Sequence, residues 1–110
     1  MPRILDERDY RILRTLVPGM EENLCPGSGH EFHSILPPVS NHFSRDAADF
    51  ADRVSRLSDE DWAYIADQII SGGESLGCIP EEDLDVVMAH IERAVPPETA
   101  EQVRMRMALV

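Results

Sequence analysis

Apolar residues return at helical spacing in five stretches of the chain, and no stretch of useful length alternates with the period of two that a half-buried strand shows. Between Arg3 and Val17, Leu5, Ile12, Leu13, Leu16 and Val17 fall on one face, with Tyr10 at its flank. Pro2 suits a first turn and Pro18-Gly19 stops the run, so the pattern predicts a helix here. A second stripe, Phe43, Ala47, Phe50, Val54 and Leu57, repeats at intervals of 4, 3, 4 and 3, with Asp46, Asp49 and Arg53 on the opposite side. This helix starts between Val39 and Arg45, ends at Arg56, and has Ser40 or Ser44 as its expected cap.

The third stretch has the best-specified start. Ser58 is followed by Asp59, Glu60 and Asp61, a capping box with Asp in place of the usual Glu or Gln, and Leu57 and Trp62 hold the two staple positions. The acids also sit where the helix dipole favours negative charge. Trp62, Ile65, Ala66, Ile69 and Ile70 form the inward face, and Ser71-Gly72-Gly73 ends it. A fourth helix opens at Pro80 with Glu81, Glu82 and Asp83 in its first turn, and Leu84, Val87, Met88, Ile91 and Val95 make its stripe before Pro96-Pro97 breaks it. The fifth, Glu98 to Leu109, places Ala100, Val103 and Met107 on one face and Met105 and Leu109 off it.

These patterns predict an all-α fold, a compact bundle of about five helices in which residues 1–110 form a single helical domain with one long ordered connection (residues 18–38) between the first and second helices. Periodicity leaves orthogonal and up-and-down arrangements equally open, because it carries no crossing angle. The end of the connection differs from its polar middle. Ile35, Leu36 and Val39 are apolar enough to dock on the bundle, and Pro37-Pro38 stiffens the chain between them.

Charge narrows the function classes. Asp and Glu number 21 against 10 basic residues, for a formal net charge of -11, and every basic residue is an arginine. A phosphate backbone is repelled by such a chain, since the arginines are spread over its beginning, middle and end, so nucleic acid is not an expected partner. The absence of lysine removes Schiff-base and Walker-type phosphate chemistry. No apolar run approaches the length of a membrane span and the N-terminus shows no apolar signal core, so a soluble, cytoplasmic protein is expected, away from membranes. Two cysteines are too few for a secreted disulfide scaffold.

Candidate chemistry concentrates in the connection, which carries Cys25, His30 and His33, with His42 and Cys78 as further ligand types elsewhere in the chain. Both cysteines lie in Gly/Pro-rich turns, Leu24-Cys25-Pro26-Gly27 and Gly77-Cys78-Ile79-Pro80, outside the helical stripes. Thiolate and imidazole are zinc's preferred donors, so Cys25, His30, His33 and Cys78, with His42 in reserve, form a metal site if the two turns meet. The spacing is not that of a zinc knuckle, and His30-Glu31-Phe32-His33 has its histidines three apart rather than the four of a zincin helix. Pro26-Gly27-Ser28-Gly29 lacks the lysine of a P-loop. Cys25 beside His33 or His42 is a conceivable thiol-imidazole nucleophile, and Cys25 with Cys78 a conceivable reversible disulfide. His90 lies beside the fourth stripe as a boundary histidine.

The residues of zinc-finger, EF-hand, helix-turn-helix and P-loop patterns are missing at their required spacings. The reading that follows is a small acidic helical protein, non-enzymatic and without a cofactor, that works by binding another protein or its own copy. The alternative is a small zinc protein built on the four residues above. The zinc reading predicts stoichiometric metal, by mass spectrometry of protein purified without chelator, and loss of loop order when the metal is stripped; metal-free protein with an equally ordered loop would remove it.

Overall fold

The computed structural model describes residues 7–17, 35–36, 39–72, 74, 76 and 79–108. They contain helix α1 (Glu7–Leu16), a five-residue π-helical turn (Val39–Phe43), α2 (Ala47–Val54), α3 (Asp59–Ser71), α4 (Glu81–Ala94) and α5 (Pro97–Ala108), and no strand. The all-α bundle expected from periodicity is what forms. Helices α3, α4 and α5 pack on one another, α2 lies against α4 and the π-turn, and α1 rests on α2.

Local chemistry explains most helix ends. Ser58 caps α3, its Oγ accepting the Asp61 N–H at 3.2 Å, as expected. The reciprocal half of the capping box is not made: the Asp61 carboxylate, one methylene shorter than Glu, lies 3.9 Å from the Arg11 guanidinium instead. Gly72 ends α3 at φ 88°, the left-handed region that glycine enters without steric cost. Pro80 precedes α4 as its N-cap, one position earlier than a first-turn proline, and its carbonyl accepts the N–H groups of Asp83 and Leu84. Pro97 begins α5.

The start of α2 corrects the expectation. Neither Ser40 nor Ser44 caps it; the cap is Asp46, whose Oδ1 accepts the Asp49 N–H at 2.8 Å. A π-turn intervenes, closed by the Ser44 N–H on the Val39 carbonyl at 2.9 Å, and this wider turn carries Ser40 away to another partner. Asp49 then accepts the Arg45 N–H at 2.9 Å, and that bond, aided by Arg53, holds its carboxyl below the usual carboxylate range. Arg53, read from the pattern as an outward residue, also donates to the Leu16 carbonyl at 3.0 Å and so satisfies the end of α1.

One core joins these elements. Leu13, Phe50, Trp62, Ile65, Val87 and Ile91 are among its fully buried members, each from the stripe its helix was expected to turn inward. Ile35, Leu36 and Val39 are buried with them, as their apolar character predicted. Leu36 is helical and Val39 opens the π-turn, whereas Pro37, Pro38 and residues 18–34 of the expected connection lie outside the described residues.

Apolar burial is non-directional, and a more specific contact holds Ile35 and Leu36 in place. Glu74, itself buried, takes the Ile35 N–H on Oε1 at 2.8 Å and the Leu36 N–H on Oε2 at 2.9 Å. A carboxylate offers two acceptors and no donor, which suits two successive amides. Glu74→Gln turns one acceptor into an NH2 that faces an N–H, leaving a buried donor unsatisfied. The expected loss is about 1–3 kcal/mol, read as a lower urea midpoint with unchanged slope. A midpoint equal to the parent's would show that the clamp contributes nothing.

Candidate functional site

Of the residues singled out as possible ligands or nucleophiles, Cys25, His30, His33 and Cys78 lie outside the described residues. So does the side chain of His42. Among the described residues, no three His, Cys, Asp or Glu side chains are grouped as a metal would require. Among the described residues, the structure brings together buried carboxylates, an aromatic stack and two surface depressions.

Asp9, Glu74 and Asp83 are buried, and each accepts a hydrogen bond from a residue distant in sequence. Asp9 on α1 accepts the Tyr64 hydroxyl of α3 at 2.7 Å. Asp83 in the first turn of α4 accepts the Ser40 hydroxyl of the π-turn at 2.6 Å, where the α4 dipole also favours its charge. Its other oxygen, Oδ1, and the Ser44 hydroxyl are buried without a hydrogen-bond partner among the described residues. These groups orient and tie segments together. Their position was legible in one respect only: Asp9 precedes Leu13 by four residues and Asp83 precedes Val87 by four, so each occupies a place in its helix's apolar stripe. An acid on an inward stripe is the signal that the stripe pattern, read for its apolar members alone, passes over. Glu74 carried no such signal, because it follows α3 in a connection.

Trp62, the only tryptophan, stacks flat on His90, with ring centroids 4.9 Å apart and planes within 2°. The stack joins the start of α3 to the later part of α4, two helices that pack on each other. Arg93 donates to His90 Nδ1 at 3.1 Å, which places the proton of the neutral ring on Nε2. Burial, and secondarily the positive charge of Arg93, lowers the His90 pKa from its ordinary 6.5, while Asp59 acts weakly the other way. The sequence placed His90 at the boundary of α4, and that is where it is, half-buried. Its partner could not be read from one helix.

The two depressions differ in character. One, of about 440 Å³, is lined by Glu7, Arg8, Arg11 and Glu60, with the Arg8 guanidinium lying 4.3 Å above the Tyr64 ring. Acids and bases balance along its lining, and it favours neither sign of ligand. The other, of about 220 Å³, lies between the packed helices α3 and α5 and is lined by Ile70, Gln102, Met105 and Arg106. Met105 is 61% exposed, the one large apolar side chain so placed among the described residues. The weak patterning of the fifth stripe had left Met105 off the inward face.

The chain matches no protein-family model, no curated protein and no solved structure. Chemistry on its own residues is therefore the basis for a functional reading.

The lowered His90 pKa has a measurable consequence. A histidine with a folded pKa below its unfolded value contributes stability that is complete above about pH 6.5 and is lost as pH falls through the lowered value. A protonated imidazole stacked on the only indole also quenches its emission. Tryptophan fluorescence of the folded protein is expected to titrate with a midpoint below 6.5, and His90→Gln to abolish that step. Persistence of the step in the variant would assign it to another group.

Proposed function

We propose that the protein is a non-enzymatic helical module that acts by binding another protein, one that presents a basic face. The observation that carries this reading is the charge left on its surface. Arg53, Arg56 and Arg104 are engaged by acids of this chain, through Asp49, Asp52 and the pair Glu92 and Glu101. By contrast, Asp67, Glu81, Glu82, Asp85 and Glu98 are exposed and form no ion pair among the described residues. The field of the surface is negative, in keeping with the formal -11 of the whole chain. Such a field speeds encounter with a positively charged partner and rejects acidic ones. The buried acids have structural partners, so the exposed ones are the groups free to act. A cytoplasmic setting fits this reading, since it keeps two thiols reduced.

No helix among the described residues is long and apolar enough to cross a membrane, and a protein partner reached through solvent is consistent with that. In an extract of its own cells at low ionic strength, the 12.4 kDa chain is expected to sediment in a heavier complex that dissociates as salt is raised, while the purified chain sediments as a monomer. Sedimentation as a free monomer in the extract, at native abundance, would overturn the proposal.

A further inference from the structure

The depression between α3 and α5 gives the binding reading a location, and the following inference rests on that reading. A single exposed methionine is ordinary on a protein surface. Met105 differs because it rims a concavity of about 220 Å³ shared with Ile70, at a seam where two helices lie side by side. A depression with apolar side chains where two packed helices meet can seat an apolar anchor of an amphipathic helix, whose anchors recur at positions i, i+3 or i+4, and i+7. Methionine suits such a rim, since its unbranched, polarisable side chain adapts to what fills the space.

The charges around the seam decide the occupant. Asp67 stands one turn before Ile70 on α3, and Glu98 lies seven residues before Met105 on the same face of α5; both are exposed and unpaired among the described residues. Glu101, one turn before Met105, adds a third carboxylate, already shared with Arg104. Acids thus stand near the depression on both helices, and Arg106 is the one charged residue of its lining. A second copy of this chain would bring its own -11 to the same place and be repelled. We propose that the α3/α5 groove binds one amphipathic helix of a basic partner protein, with an apolar residue seated between Ile70 and Met105 and lysine or arginine facing Asp67 and Glu98.

The test uses the full chain, in the cells it comes from, with the photo-crosslinking residue p-benzoyl-phenylalanine replacing Gln102. The expected adduct is a segment of another protein with apolar residues at helical spacing and net positive charge. Met105→Asp is expected to reduce the salt-sensitive complex by roughly tenfold or more, as loss of a central apolar anchor does, and Glu7→Gln, in the other depression, to leave it unchanged. Met105 is exposed, so its substitution spares the core; an unchanged thermal melt establishes this, and should the melt move, Asp67→Asn with Glu98→Gln makes the same test from the rim. An adduct with a second copy of the chain, an adduct lacking that charge and spacing, or a complex undiminished by a folded groove variant would overturn the groove and leave the binding reading standing. A chain found only as a monomer would overturn both.

Discussion

Three buried carboxylates hold the first part of this protein to the rest. Asp9 meets Tyr64, Glu74 meets the backbone of Ile35 and Leu36, and Asp83 meets Ser40, contacts that span 38 to 55 residues of chain. Apolar packing alone would let α1, the π-turn and the Ile35-Leu36 pair slide on the α3–α5 unit, because burial of area has no preferred register. A charged acceptor removed from water does have one: it must find its donors at hydrogen-bond distance or its desolvation goes uncompensated. Each carboxylate therefore fixes one position of the first half against the second.

The same choice of residue sets the electrostatics of the surface. A chain with twice as many acids as bases repels itself when compact, and placing three acids inside does not relieve this. The described arginines offset it locally. Arg53 links Asp49 to the end of α1, Arg56 pairs with Asp52, and Arg104 bridges Glu92 on α4 and Glu101 on α5. Arginine suits these tasks better than lysine, since its planar fork reaches two acceptors at once. Among the described residues, exposed acids without an ion pair stand at the first turn of α4 and along α3 and α5, exposed arginines such as Arg14, Arg45 and Arg106 stand outward as well, and the apolar seam at Met105 lies among both signs of charge.

Individual residues show how far the chain could be read in advance. Trp62, Ile65, Ala66 and Ile69 turned inward, and Ser58 and Gly72 began and ended α3, because helical period and capping chemistry act within a few residues. The start of α2 was misread. Ser40 and Ser44 are good caps in isolation, yet Ser40 is drawn to Asp83, 43 residues on, and Asp46 caps in their stead. Asp83 was read only as an acid of a first turn and Asp9 was not singled out, although each stands in an apolar stripe, and only a partner from elsewhere explains an acid there. The four residues of the expected metal site, Cys25, His30, His33 and Cys78, lie outside the described part of the fold.

By itself the sequence determined the fold class, the inward face of each helix, most helix ends and the sign of the surface field. Each of these depends on neighbours within one or two turns, or on a sum of charges that needs no coordinates. Tertiary structure alone decided that Glu74 would clamp two amides, that His90 would lie flat on Trp62 with a lowered pKa, and that Ile70 and Met105 would line one depression. Those are meetings between segments distant in the chain, set by crossing angles and offsets that periodicity does not contain.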